Sequence, residues 1–252
     1  YMGLAAKECW VNVKAVSESG EERSFFYGIL TELWIERDGG ARILTIELKT
    51  GSFLLDIEAH TRSFQDDGFS YRDVISACLE PADGKYIMLD KKEERTGRFL
   101  FQFQETDWAF MRRLASYMGT ALIPEDAAPG KKIYFGCRDK DTAGEMDQDH
   151  YRLEQGYEEY RKRKAMDEGA VLQDFAEYHV QTREIYRLGE KIDFQGRSYI
   201  IGGMTSWLSG QELYNEYHLI SKKRGSLPVF YNWDIAGISL KAEVTAVRNT
   251  MV

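Results

Sequence analysis

The stretch at residues 99–122, FLFQFQETDWAFMRRLASYMGTAL, constrains the fold more than any other part of the chain. Phe99, Phe101 and Phe103 alternate with Leu100, Gln102 and Gln104, the period-two pattern of a strand with one face buried, here expected to be the Phe face. Thr106 then offers a side-chain oxygen to the free N–H groups of a helix start, and Asp107 sits in the favourable field of the first turn. Trp108, Met111, Leu114, Ala115 and Met118 recur at helical spacing and predict one apolar face, with Trp108 in the core. Gly119 stands where a helix stops in the left-handed conformation, and Ala121, Leu122 and Ile123 restart extended chain before Pro124. The segment therefore predicts strand, helix and strand, with Arg113 free to pair with Glu105 or Asp107 at the corner.

The regions on either side differ in kind. Residues 8–58 read as strands: one around Trp10, Val11 and Val13, a second from Phe25 to Ile35, and a return strand with Leu44, Ile46 and Leu48 on a half-buried face. The Arg37-Asp38-Gly39-Gly40 run supplies the tight turn between the last two. The residues Phe53, Leu54, Leu55 and Ile57 are expected to continue in extended form. Ser70-Tyr71-Arg72-Asp73 has the form of a capping box and opens a helix to about Leu79, with Tyr71, Val74, Ile75 and Cys78 as its apolar stripe. Strands follow at Tyr86 to Leu89 and Ile133 to Phe135. The polar stretch 138–169 reads as a helical connector, in which Tyr151, Leu153, Tyr157 and Tyr160 form a partial apolar face. From Phe175 onward five short strands alternate with turns at Leu188-Gly189, Gln195-Gly196 and Ser209-Gly210, a small antiparallel barrel. Ile238 to Val247 alternates like a first strand of something further.

Composition excludes several function classes. A net charge of −8 argues against nucleic-acid recognition, because phosphate contacts need clustered cations. The one basic run, Arg161-Lys162-Arg163-Lys164, sits among Glu158, Glu159, Asp167 and Glu168 and reads as a solvated helix face. No apolar run is long enough to span a bilayer, so stable membrane insertion is not expected. The opening residues lack the pattern of a signal peptide, and Tyr1 reads as a trimmed or tagged beginning. Cys9, Cys78 and Cys137 are odd in number and widely spaced, as free thiols would be.

The search for chemistry finds no convergent group. His60, His150, His179 and His218 show no metal-ligand spacing, and each reads as a surface or interface histidine. No nucleophile elbow or P-loop occurs, and Gly202-Gly203 stands between strands rather than before a helix. Carboxylate pairs such as Asp66-Asp67, Glu93-Glu94, Asp139-Asp141 and Glu158-Glu159 are numerous, as 41 acidic residues make inevitable. The expectation is accordingly no catalytic, cofactor-binding or metal-binding residue, no cofactor, and no enzyme activity.

The pattern Gln104-Glu105-Thr106-Asp107-Trp108, Phe110, Arg113-Leu114 and Gly119 resembles the signature of the VgrG and late control protein D group, the hub proteins of contractile phage tails and related injection machines. Ser63-Phe64-Gln65-Asp66 and Ser70-Tyr71-x-Asp73-Val74-Ile75 are similar to the segment that precedes it in phage and tailocin hubs. The resemblance implies an α+β, mainly β fold, with two small antiparallel β-barrels flanking an inserted α/β domain. On that reading residues 1–58 form the first barrel, 59–138 the insert with two helices, 139–170 the charged helical connector, 171–230 the second barrel and 231–252 the start of a downstream domain or tail. It also implies a structural baseplate hub that joins tail tube to spike as a ring of three chains. The expected partners are two further copies, the tail tube protein, the spike and other baseplate proteins. The place would be a virion or tail-like particle assembled in the bacterial cytoplasm. The alternative from another class is a baseplate-associated cell-wall hydrolase or a carbohydrate-binding β-module.

Overall fold

The computed structural model describes residues 8–66, 68–90, 94–146, 149–165, 168–226 and 228–239. In chain order β1 (Trp10–Val16), β2 (Glu22–Asp38) and β3 (Ala41–Lys49) come first, then β4 (Ala59–Phe64), α1 (Tyr71–Leu79), β5 (Lys85–Met88), β6 (Leu100–Thr106), α2 (Asp107–Met118), β7 (Leu122–Pro124) and β8 (Lys132–Phe135). Next follow β9 (Arg138–Met146), β10 (Tyr151–Gln155), α3 (Tyr157–Lys164), β11 (Ala176–Thr182), β12 (Glu190–Phe194), β13 (Arg197–Ser209), β14 (Glu212–Ile220) and the single turn α4 (Lys222–Gly225). The fold is mainly β. Its larger sheets are β1-β2-β3 and the six-stranded β10-β11-β14-β13-β12-β9, and both are open in this strand order.

The central unit is built as its caps dictate. Ser70 accepts from the Asp73 N–H while the Asp73 carboxylate takes the Ser70 N–H at 2.8 Å, so α1 begins with a complete capping box. Thr106 caps α2 by accepting from Ala109 N–H at 3.1 Å, and Gly119, at φ 61°, closes it. Val74, Ile75, Cys78 and Leu79 of α1 meet Phe110, Met111, Leu114 and Met118 of α2 in a core where every one of them is at most 1% exposed. Two corrections concern β6 and α2. The inward face of β6 is Leu100 and Gln102, whereas Phe99, Phe101 and Phe103 stack on one another along the other face, with Phe99 still exposed. Trp108 is only half-buried against the core, and Phe110 takes the central place.

Three further segments depart from the sequence reading. Gly51–Leu55 is a 3-10 turn rather than extended chain, with Leu55 buried under α2. Arg138–Met146 and Tyr151–Gln155, expected within a helical connector, are the strands β9 and β10, so that among the described residues there only Tyr157–Lys164 is helical. The alternation of Tyr151 and Leu153 suits a strand as well as a weak helix face, and pairing with β11 decided the matter. Finally, the strands expected at 198–201 and 205–208 are one element, β13, kinked where Gly202 is skipped in the register with β14. Of the alternating stretch 238–247, all but its first two residues, and the tail after it, lie outside the described residues.

The second core sits inside the six-stranded sheet. Val180, Ile192, Phe194, Ile201, Tyr217 and Leu219 are its buried centre. Tyr151 on the edge strand β10 packs 5.6 Å from Phe194 on β12, with three strands between them in the sheet order. The sheet therefore rolls over its own core without closing. Arg187, in the loop between β11 and β12, ties this unit to the first sheet by donating to the carbonyls of Phe25 (2.8 Å) and Ser24. The loop after β7 joins the same junction, since Asp126 O accepts from Tyr27 N–H at 2.6 Å.

Candidate assembly surface

The signature residues prove to be a structural corner. Glu105 takes Arg113 through two parallel bonds, while Asp107, 2% exposed, accepts from Arg62 at 2.6 Å and from Gln102 at 2.9 Å. Gln102 also donates to the Glu105 carbonyl at 2.8 Å. Sequence left the partner of Arg113 open between Glu105 and Asp107. The geometry assigns it to Glu105 and gives Asp107 to a residue on the neighbouring strand β4. Glu105 with Arg113 and Asp107 with Arg62 and Gln102 thus form two sets, joined by Gln102 on the Glu105 carbonyl, and together they fix the strand-helix corner.

Away from that corner the chain projects a hairpin. Among the described residues β1 pairs with β2 as far as Ile29, and beyond this point β2 and β3 form a two-stranded arm over residues 31–47, about 25 Å long at the strand rise. Within it Leu33 lies opposite Ile46 and Ile35 opposite Leu44, an apolar quartet on one face whose members are 41–60% exposed. Trp34 and Ile43 are exposed as well. A bulge at Thr31 is what aligns this face: it shifts the parity of β2, so that Leu30, Leu33 and Ile35 stand on the same side as Leu48, Ile46 and Leu44. The Gly39-Gly40 turn, with Gly39 at φ 56°, supplies the backbone that a two-residue hairpin loop requires.

The period-two pattern had located both strands of the arm. It also led to the expectation of a half-buried face, because alternation cannot say whether the covering layer belongs to the same chain. The signal available was the length of β2 against its partners: the 17-residue strand outruns the seven residues of β1.

Other features are arranged more quietly. β9 and β10 leave two sheet edges open. Trp207 and Tyr214 stack at 6.0 Å near the β13–β14 turn, where Trp207 is 39% exposed. A cleft of about 510 Å³ between α3 and α4 contains Glu159 and Asp174, each in an ion pair, with Arg224 and Lys223 respectively. Burial pushes the Cys78 thiol up to about 12 and the Cys137 thiol to about 11, which keeps both protonated at neutral pH. The basic run of α3 is exposed, as the sequence led one to expect. Of the four histidines, His60 lies 3.6 Å from Asp107, and His179 and His218 are brought opposite each other on β11 and β14. Among the described residues no helix is long and apolar enough to cross a membrane.

Two solved structures share this fold across most of its length. One is the 43 kDa tail protein of prophage MuSo2 from Shewanella oneidensis, with a TM-score of 0.60 and 13% identity over 83% of this chain and 80% of that one. The other is the tail protein from Neisseria meningitidis MC58, with a TM-score of 0.61 and 11% identity over 85% and 86%. No family model matches the sequence, and no curated protein matches it significantly.

Proposed function

We propose that the chain is a structural component of a phage tail or tail-like injection particle and, within it, the baseplate hub that joins tube to spike as a ring of three chains. The observation that carries this reading is the β2–β3 arm. A two-stranded hairpin is marginal in water by itself, and one with an exposed apolar quartet invites a cover from another molecule. The fold shared with two tail proteins, one of them of a prophage, supports the same direction.

The work of such a protein is geometric. The Arg187 junction ties the two β units to each other, so that the arm and the open edges meet their partners at a set angle. Each open sheet would complete a barrel only with strands or side chains from a neighbour. Two such units per chain would give six around a ring of three, matching a six-fold tube to a three-fold spike. The partners on this reading are two further copies, the tube and spike proteins and the other baseplate proteins, inside a particle assembled in the bacterial cytoplasm. It calls for no enzyme activity, no cofactor and no nucleic-acid recognition. The acidic balance of the chain agrees with the last of these.

One observation favours the alternative of a carbohydrate-binding module or wall hydrolase: the exposed Trp207–Tyr214 pair is a platform of the kind sugars stack on. Light scattering across a concentration series separates the readings. The hub reading expects three times the protomer mass, and expects Ile35→Glu with Leu44→Lys to return the protein to monomer. A monomer at every concentration that digests or binds peptidoglycan would overturn it.

A further inference from the structure

The pairing of β11 with β14 places two histidines directly opposite each other, with a glutamate two residues away on the same face. His179 faces His218 with ring centroids 4.2 Å apart, and Glu177 precedes His179 by one strand period. We propose that Glu177, His179 and His218 form a binding site for a divalent transition metal of the zinc class, which staples β11 to β14.

The distances suit first-row ligation. Glu177 Oε1 lies 2.9 Å from His218 Nδ1 and 3.4 Å from His179 Nε2. Donors about 2.0–2.1 Å from one ion stand roughly 3.0–3.4 Å apart from each other, in octahedral and tetrahedral arrangements respectively. His179 is 6% exposed, yet its Nε2 has no hydrogen-bond partner. A buried polar nitrogen left so is costly unless something occupies the space before it. Glu154 on β10 approaches the same nitrogen, with Oε2 at 3.5 Å, and is placed to act as a fourth ligand.

The surroundings favour a cation at this point. Three carboxylates, of Glu154, Glu177 and Glu216, face the imidazoles, against two guanidiniums, of Arg152 and Arg224. Arg224 Nη1 holds the other oxygen of Glu177 at 2.7 Å, at an angle that makes an ion pair rather than a hydrogen bond, and so turns Oε1 toward the histidines. Glu216 Oε1 lies 3.7 Å from His179 Nδ1 and 3.8 Å from His218 Nε2, the two ring nitrogens facing away from the ion. A carboxylate there can accept hydrogen bonds from their N–H groups and fix both rings as ligands, once Arg152, now 3.1 Å from His179 Nδ1, turns aside. Gly203, opposite His218, leaves the room: a Cβ there would sit 3.2 Å from His218 Nδ1. Imidazole and carboxylate together suit zinc, cobalt or nickel better than calcium or magnesium.

The test uses the full chain without an affinity tag, stripped with EDTA and then titrated with ZnCl2 and CoCl2 near neutral pH. The expected result is one zinc per chain after dialysis, measured by mass spectrometry of the metal, and a visible cobalt spectrum that zinc abolishes. His218→Gln and Glu177→Gln should each weaken zinc binding by at least about tenfold, while His60→Gln and His150→Gln leave it unchanged. His218 is half-exposed, so its variant is the one to read should His179→Gln fail to fold, and circular dichroism of the metal-free proteins checks this. Absence of stoichiometric zinc, or equal affinity in wild type and a folded His218→Gln, overturns the proposal.

Discussion

Arg113 reaches back from the middle of α2 to Glu105 near the end of β6, placing Nε 3.1 Å from Oε1 and Nη2 2.6 Å from Oε2. The guanidinium gives two further donors to the Phe101 carbonyl at 2.8 Å and the Tyr117 hydroxyl at 3.2 Å. Both partners are nearly out of water, with side chains 6% and 10% exposed. The pair fixes the angle at which the helix leaves the strand, since the chain between them is only seven residues long and passes through Gln104 at φ 46° just before it.

Arg113→Ala should therefore destabilise the protein by about 3–5 kcal/mol, because it strands the Glu105 carboxylate in a buried place. Arg113→Lys should recover little of this, as an ammonium cannot fill the two-pronged geometry. Urea unfolding followed by circular dichroism measures both. A loss under about 1 kcal/mol for the alanine variant would mean that water reaches Glu105 and that the corner is held by its apolar neighbours.

Truncation at the two aromatic positions of α2 should give unequal results. Phe110 is fully buried, stacks 6.0 Å from Phe64 and lies under the Arg113 guanidinium, so Phe110→Ala should cost about 3–5 kcal/mol. Trp108 keeps part of its surface in solvent and leaves a smaller void, and Trp108→Ala should cost less, about 1–3 kcal/mol. Equal losses in the same denaturation assay would contradict the assigned packing.

The contrast between these aromatics marks the limit of what the sequence could convey. Local chemistry was legible: Ser70 with Asp73, Thr106 with Gly119, and the glycine turns at 39, 189, 196 and 210 each act through neighbours a few residues away. Which face of a strand is covered was not legible for β6, because Gln102 is buried through bonds to Arg62 and Asp107 that only the fold assembles. The same holds for β10, whose strand state depends on pairing with β11, and for the arm, whose apolar face has no cover among the described residues. His179 and His218 read as unrelated in the sequence and become neighbours only through the register of β11 on β14.

Acid should act on the junction through Glu125. Burial pushes its carboxyl up, but hydrogen bonds from the Tyr134 hydroxyl and the Ala127 N–H, with Arg138 3.6 Å away, outweigh that and hold it below its ordinary value of 4.5. A carboxyl depressed by folding stabilises the native state fully above its unfolded value, and the contribution is lost as pH falls through the folded one. Wild type should exceed Glu125→Gln by about 1–3 kcal/mol at neutral pH, with the difference shrinking as pH drops below about 4.5. Chemical denaturation of both proteins across that range gives the two curves. A difference that stays constant with pH would show that Glu125 acts by packing and not by charge.

Removing the arm should leave the protomer intact. If residues 33–46 are replaced by an Asn-Gly turn, the pair Leu30–Leu48 and all of β1 remain, and no buried side chain is lost. Exposed residues outside a core contribute within about 0.5 kcal/mol each way, so the melting temperature should move by less than about 3 °C. What should change is association. The deleted segment carries the Leu33, Ile35, Leu44 and Ile46 face, and without it the remaining hairpin is too short to offer a neighbour either an apolar surface or two long strand edges. Calorimetry and light scattering on the same sample read the two effects apart. A large fall in melting temperature would mean that the arm folds back on its own chain in solution. An unchanged assembly would move the contact to the edges formed by β9 and β10, where a proline within either strand becomes the next variant to weigh.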